Sequence, residues 1–266
     1  MDLKPSPERQ ILFDTLTKYF ENEYKIADRN TAAHSELGYS KEAWEKMRDL
    51  GILESLIDPE LNGFGGTPLD ISAVFEALGR GLVVEPFLET GLVSTKILGK
   101  GNENQKKLVA DLLENIALPT FCHSENDTDY RKSYVKTKLV PDKEGNFLVT
   151  GKKVMIKNAS GASHLIITCR SSGDYADEKG ITIACIPSNR SGIDIKSFSS
   201  IDGGRVSDID LDNAAVFKNE IIGKIGKGFE IISEAIDFGI LAICSEALGI
   251  MEKIKELTLD YLKTRK

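Results

Sequence analysis

The chain has 266 residues, of which 41% are hydrophobic and 28% are charged, and its formal net charge is −7. These proportions indicate a folded globular protein with one large domain or two to three smaller ones. The negative charge argues against nonspecific binding to nucleic acids or anionic membranes, because both require clustered lysine and arginine. We therefore expect no nucleic-acid partner.

The cysteines and the N-terminus bear on the cell compartment. The cysteines lie far apart in sequence, without paired spacing or a nearby histidine, which predicts reduced thiols in the cytoplasm and no metal site. No apolar signal segment follows Met1, and no run of about 18 apolar residues occurs, so neither a secretory signal nor a membrane span is predicted. The cysteines are Cys122, Cys169, Cys185 and Cys244.

The first 115 residues carry the signals of a helical domain. Four segments begin with a residue whose side chain can cap a helix N-terminus, and apolar residues at helical spacing follow each one. The third segment is the clearest, because Thr67 precedes Pro68 and Asp70, and its predicted end is Gly79. The predicted caps are Ser6, Ser40, Thr67 and Asn102.

From Ile116 the hydrophobic period changes to two, and the content of β-branched residues rises. Many short strands separated by turn residues predict a small barrel or a sandwich. The predicted strands cover residues 135–139, 147–150, 165–169, 181–186, 193–198 and 209–211.

The pattern returns to helix after Gly223–Gly228 and continues to Lys266. The three glycines of that segment allow two interpretations, a phosphate-binding loop or a flexible connector into the helix. The helix is apolar on more than one side, so it needs partner helices, either from the rest of a longer chain or from another subunit. The whole pattern predicts an α+β multidomain protein with domains at 1–115, 116–222 and 223–266.

Several short motifs, in this order and spacing, are similar to those of one flavoprotein family. The chain resembles the acyl-CoA dehydrogenases along its whole length, and the regions around Glu85 and Cys122–Glu125 are most like the small subunit of the pimeloyl-CoA dehydrogenase type. The motifs that carry the resemblance are Leu50–Leu53, Asn62–Gly66, Glu76–Arg80, Ser124–Glu125, Gly151–Asn158, Asp202–Arg205, Gly223–Phe229 and Tyr261–Lys266.

The resemblance implies an N-terminal helical domain, a middle β-barrel and the first helix of a C-terminal four-helix bundle that is largely missing. It implies FAD bound between barrel and bundle, partly completed by a neighbouring subunit. The implied activity is the α,β-dehydrogenation of an acyl-CoA thioester, with a dicarboxylyl-CoA as one option. The implied partners are an electron-transfer flavoprotein or similar acceptor and related subunits in a homo- or hetero-oligomer.

The resemblance also assigns site residues. The hydroxyl of Ser124 is expected to contact the flavin ring, although a plain strand-end role is the alternative. Met155 stands where the family has an aromatic residue against the ring, and Lys157 stands where the family has a Thr or Ser that bonds to it. The expected cofactor-binding residues are Phe121, His123, Ser124, Met155, Lys157 and Arg265, and the expected substrate-binding residue is Tyr130.

Some positions depart from the family pattern. The family's Gly-Ser-Asp beside the thioester is replaced by Asp129, Tyr130 and Arg131, and Gly239 and Ile240 stand where some relatives have a catalytic Glu and a CoA-facing Arg. The more usual catalytic Glu falls beyond Lys266, so the catalytic residue is unknown. Two functions follow: a catalytic flavoenzyme subunit, or a non-catalytic structural partner of a related chain with degraded flavin and CoA sites.

Overall fold

The computed structural model describes residues 6–128 and 130–265. Helices form the first part and the end of the chain, and strands form the middle. The helices are α1 (Pro7–Asn22), α2 (Ile26–Ala33), α3 (Lys41–Asp49), α4 (Ile52–Leu56), α5 (Pro68–Gly81), a π-helix (Phe87–Val93), α6 (Ser94–Leu98), α7 (Glu103–Leu113) and α8 (Phe229–Thr264). The strands are β1 (Pro119–Cys122), β2 (Lys138–Pro141), β3 (Phe147–Lys157), β4 (His164–Arg170), β5 (Ile181–Pro187), β6 (Ile193–Ser199), β7 (Arg205–Val216) and β8 (Ile221–Ile222).

The four predicted helix starts are confirmed. The side chains of Ser6, Ser40, Thr67 and Asn102 each accept a hydrogen bond from a backbone N–H in the first turn of α1, α3, α5 and α7. These bonds satisfy donors that a helix cannot pair internally. The predicted end of α5 is wrong by two residues, because α5 continues to Gly81 and stops where Leu82 adopts left-handed backbone angles.

The strands form one mixed sheet in the order β6-β7-β3-β2-β4-β5-β8, and β1 pairs in parallel with β4. The middle domain is the expected β domain, but its sheet is not a closed barrel, because β6 and β8 end the path and do not pair with each other. The sheet still curls around its own core, which contains Cys122, Leu139, Val149, Ile167 and Leu211. A second core lies between the helices and the outer face of the sheet.

Strands β1 and β2 lie in line, both between β3 and β4. β1 pairs with the first residues of β4, whereas β2 pairs with the first half of β3 and touches β4 only through Lys138 and Arg170. The second half of β3 instead runs beside β1, since the Thr120 hydroxyl donates to the Lys157 carbonyl at 2.9 Å. A gap in the ladder therefore remains between the end of β1 and the start of β2.

Helix α8 packs closely against α5 through two glycines. A Cβ atom at Gly79 would lie 2.1 Å from the carbonyl oxygen of Glu246, and a Cβ at Gly249 would lie 2.0 Å from that of Glu76. These distances are far below van der Waals contact, so the crossing requires glycine at both positions. The contact fixes the position of Glu246 beside α5.

Outside this crossing, few residues of the 36-residue helix α8 are buried. Its residues from Met251 to Arg265 are nearly all exposed, and they include several large apolar side chains. Among the described residues, no helix is long and apolar enough to cross a membrane. The domain limits at 115 and 222 remain predictions.

We predict that Gly249→Ala lowers the free energy of unfolding by about 1–3 kcal/mol, because the added methyl group forces α5 and α8 apart. Urea denaturation measures this change. Gly239→Ala on the same helix is the matched control, since its new Cβ would lie 3.3 Å from a Val93 methyl group, which can move more easily than backbone. Equal losses in the two variants would contradict the close crossing.

Candidate functional site

The structure brings five of the expected site residues together on two adjacent segments. The backbone N–H of Val154 donates to the carbonyl of Ser124 at 2.9 Å, which joins the end of β1 to the second half of β3. We call the resulting surface the β1–β3 edge. It consists of Phe121, His123, Ser124, Met155 and Lys157.

The rings of Phe121 and His123 stack in parallel and are both half-buried. Their ring centroids are 5.6 Å apart and their planes differ by 3°. Burial, together with the nearby Lys153 ammonium, lowers the pKa of His123 to about 3. The ring is therefore neutral at physiological pH, and its Nδ1 lies 3.0 Å from the Thr168 hydroxyl. This histidine is suited to packing and not to acid catalysis.

Met155 lies at an irregularity in the pairing of β3 with β7. The register shifts between Lys153 and Ile156, and Met155 between them has a φ of 56°, in the left-handed region. Such a bulge redirects a side chain, and that of Met155 is 62% exposed. Ser124 is also exposed. The β1–β3 edge thus presents an apolar group and a hydroxyl to its surroundings.

Lys157 ends the edge with a positive charge. Its Nζ lies 3.1 Å from Oδ2 of Asp202. Burial alone would lower its pKa, but the carboxylates of Glu89 and Asp202 outweigh that effect and raise it. Lys157 is therefore a charged hydrogen-bond donor where the family has a neutral hydroxyl.

Tyr130 and Arg265 do not join the edge. Tyr130 is fully exposed, and Arg265 follows the exposed end of α8. An ion pair between Lys132 and Asp237 joins the loop after β1 to α8. Arg265 lies about 28 residues beyond Asp237, which corresponds to roughly 40 Å along a helix axis. Asp129 lies outside the described residues.

A buried ion pair in the sheet could not be predicted from the sequence patterns. Glu125 and Lys153 form an ion pair with 2.6 Å between Oε1 and Nζ, and their side chains are 3% and 0% exposed. The Glu125 carboxylate also accepts from the backbone N–H groups of Lys136 and Thr137 and from the Thr137 hydroxyl. It therefore fills the gap between β1 and β2. Burial would raise the pKa of Glu125, but Lys153 and these donors reverse the effect and lower it.

The glycine segment before α8 favours the connector interpretation. The N–H of Gly228 donates to the Ile181 carbonyl, and that of Gly226 donates to the Thr182 hydroxyl at 2.8 Å. Donors that are already paired cannot bind a phosphate. Within the described part of the chain, no cluster of three His, Cys, Asp or Glu residues could hold a metal ion.

The β1–β3 edge fits the ring of the expected FAD. Ring nitrogens and carbonyl oxygens need donors, which the Ser124 hydroxyl and the Lys157 ammonium can supply, and Met155 offers apolar contact for a ring face. The expected phosphate contact at Arg265 is too far away to reach the same cofactor within one chain. Sharing of the cofactor between subunits stays a prediction.

We predict that Glu125→Gln lowers the free energy of unfolding by about 3–5 kcal/mol, because it leaves Lys153 buried without a counter-charge. Chemical denaturation at pH 7 measures the loss, and Glu144→Gln in the exposed β2–β3 turn is the control.

The same pair predicts a pH dependence. Because the folded-state pKa of Glu125 is below its ordinary value of 4.5, its contribution to stability is present above that value and is lost as pH falls through the folded-state pKa. The difference in unfolding free energy between wild type and Glu125→Gln should therefore shrink as the pH falls below 4.5. A difference that stays constant down to pH 3 would contradict this.

Comparisons with known proteins agree with the fold. Residues 6–113 match the family described as acyl-CoA dehydrogenase, N-terminal domain. Over 231 residues the chain is 27% identical to a probable short/branched chain specific acyl-CoA dehydrogenase of Dictyostelium discoideum. This match covers 81% of this chain and 56% of that protein. It is 29% identical over 232 residues to an acyl-CoA dehydrogenase of Bacillus subtilis, covering 83% of this chain and 60% of that protein.

A solved structure shows the same architecture. Butyryl-CoA dehydrogenase from Megasphaera elsdenii superposes with a TM-score of 0.88 at 23% identity, over 100% of this chain and 71% of that one. At this identity the similarity establishes the fold. The chain spans 56% and 60% of the length of the two relatives described above.

Proposed function

We propose that this chain is a member of the acyl-CoA dehydrogenase family and a subunit of a flavoprotein that dehydrogenates an acyl-CoA between its α and β carbons. The observation that carries the proposal is the β1–β3 edge, which gathers Phe121, His123, Ser124, Met155 and Lys157 on one surface. The substrate class and the use of an electron-transfer flavoprotein as acceptor follow from the family resemblance. The cytoplasmic location is proposed from the cysteines, all four of which are free thiols.

The residues of the edge would bind and orient the cofactor. When bound, FAD supplies the acceptor for the hydride that leaves the β-carbon. Ser124 and Lys157 would donate hydrogen bonds to the ring edge, and the ordered strand ends would hold these donors in place before binding. The base that removes the α-proton is expected outside these 266 residues.

A second function has its own support. Gly239 is buried on α8 and lies against Val93, so it offers no carboxylate where some relatives have their base. Lys157 is already paired with Asp202, and Tyr130 replaces a small residue. These features favour a structural partner whose related sister chain carries the chemistry. The finer likeness to the small subunit of pimeloyl-CoA dehydrogenase remains a prediction.

The surface of α8 supports assembly in either case. An exposed apolar stripe runs along it at spacings of three, eight, three and seven residues, which places its members on one side of the helix. A stripe of this kind on a long, partly unsupported helix indicates a contact with other helices. The stripe consists of Ile240, Ile243, Met251, Ile254 and Tyr261.

We predict that Ser124→Ala weakens FAD binding by the assembled protein about two- to tenfold, because one hydrogen bond contributes roughly 0.5–1.5 kcal/mol. Quenching of flavin fluorescence measures the affinity. Ser160→Ala, at an exposed position just after β3, is the matched control and should bind like wild type. Equal affinity in both variants would remove Ser124 from the site, and failure of the wild-type assembly to bind FAD would overturn the proposed cofactor.

We predict that the chain associates through the α8 stripe and that Met251→Lys with Ile254→Lys breaks the assembly without unfolding the subunit. Light scattering gives the mass, and circular dichroism checks the fold. Lys263→Glu on the opposite side of the helix is the control. A wild-type chain that stays a well-behaved monomer at high concentration, with no partner bound, would refute the assembly.

Flavin content separates the two functions. The assembly of this chain with its related chain should be purified in two altered forms. In one form the β1–β3 edge of this chain is disabled by substitution, and in the other form the corresponding edge of the related chain is disabled. Loss of FAD and of acyl-CoA oxidation when this chain is altered supports the catalytic subunit. Retention of both supports the structural partner.

A further inference from the structure

A surface cavity of about 550 Å³ lies among the first three helices. Its walls are the end of α1, the helix α2, the loop after α2 and the first two turns of α3. Three tyrosines belong to its lining, and their exposed fractions are only 5–9%. They are Tyr19, Tyr24 and Tyr39. The residues of the β1–β3 edge are not part of this lining, so the cavity is a separate feature of the subunit.

Tyr19 is a buried lining residue whose polar atom lacks a partner. Its side chain is 9% exposed, and within the described residues its hydroxyl makes no hydrogen bond. The Tyr24 hydroxyl, by contrast, donates to Glu85 at 2.8 Å. Burial, followed by the charges of Glu85 and Glu23, raises the pKa of Tyr19 to about 12, so its hydroxyl stays protonated. Such a hydroxyl can donate one hydrogen bond and accept another, and buried polar groups normally do so.

The cavity also carries negative charge. Its lining contains three carboxylates and two cationic side chains, which are Glu23, Asp28, Glu42, Arg29 and Lys46. Both cations are already engaged, because Lys46 pairs with Glu42 at 3.2 Å and the guanidinium of Arg29 donates to backbone carbonyls outside the cavity. In the described part of the chain, neither cation forms an ion pair with Glu23 or Asp28. Two carboxylates of the lining therefore remain without a counter-charge.

These features together select the chemistry of a ligand. A cleft lined by charges of one sign concentrates counter-ions, and aromatic rings attract organic cations. A small anion is disfavoured, because it would meet three carboxylates. A metal ion is a poorer occupant, since the described residues contain no group of three His, Cys, Asp or Glu residues that could hold one.

We propose that this cavity binds an organic cation in which an ammonium group is attached to an apolar body. The N–H groups of the ammonium are received by Glu23, Asp28 and the Tyr19 hydroxyl, and the body lies against the tyrosine rings. The volume is within the range of about 300–1,000 Å³ that is usual for small-molecule sites.

This site goes beyond the proposed dehydrogenation and does not depend on FAD. Binding is measured on the flavin-free chain and again on the FAD-loaded assembly. If the protein binds no FAD, the proposed function fails while the test of this site stands, so the two failures are distinguishable.

Isothermal titration with three compounds that share one aromatic body tests the proposal. Phenethylamine carries an ammonium group, phenethyl alcohol a neutral hydroxyl and hydrocinnamate a carboxylate. Phenethylamine should bind saturably with one site per chain, phenethyl alcohol more weakly, and hydrocinnamate not at all. Absence of saturable phenethylamine binding, or hydrocinnamate binding of equal affinity, overturns the proposal.

Substitutions assign the binding to the cavity. Glu23→Gln and Asp28→Asn should each weaken phenethylamine binding about two- to fivefold, as expected for exposed ion pairs. Tyr19→Phe keeps the ring and should weaken it about two- to tenfold through the lost hydrogen bond. Glu36→Gln is the matched control, since this exposed carboxylate in the loop after α2 does not line the cavity. Wild-type affinity in all three cavity variants overturns the proposal.

Hydrogen exchange supplies a second readout. The only buried residue of α2 is Ala33, so the amides of this helix should exchange rapidly in the free protein. Phenethylamine should slow their exchange, both without FAD and with FAD bound. Protection confined to the β1–β3 edge, or loss of phenethylamine when FAD binds, would place the ligand in the flavin site and contradict the proposal.

Discussion

The buried pair of Glu125 and Lys153 is the constraint on which the rest of the sheet depends. β1 and β2 share one row between β3 and β4, and the ladder is interrupted where one ends and the other begins. The Glu125 carboxylate closes this gap by accepting from two backbone N–H groups, a hydroxyl and the Lys153 ammonium. Without it, four strands would meet around unpaired polar groups, which a protein interior does not tolerate.

The same pair places the candidate site. Lys153 also donates to the carbonyl of His123 and to the Thr168 hydroxyl, so it anchors the residue before Ser124 as well as the start of the bulge at Met155. The β1–β3 edge, the proposed flavin-facing surface, is therefore the outer side of an internal charge network. Structural and functional demands coincide here, and a change in the network is expected to disturb cofactor binding without touching the cofactor.

Sequence reasoning succeeded where local chemistry decides the structure. Caps such as Thr67 and Asn102 act within one helical turn, so their helices could be predicted, whereas the end of α5 depends on the conformation of Leu82 and was missed. Strand periodicity predicts most strands, but it cannot show that two of them share a row or whether the sheet closes. The family resemblance supplied the edge residues, while the buried pair of Glu125 and Lys153 emerges only when distant segments meet.

The β1–β3 edge and the apolar stripe of α8 are both open in the described part of the chain, and we assign both to one assembly. A structure of that assembly loaded with FAD tests this claim most directly. The account predicts the flavin ring against Ser124 and Met155, with helices of another polypeptide segment covering the stripe around Met251. A flavin bound elsewhere, or an assembly in which the stripe stays exposed, would contradict it.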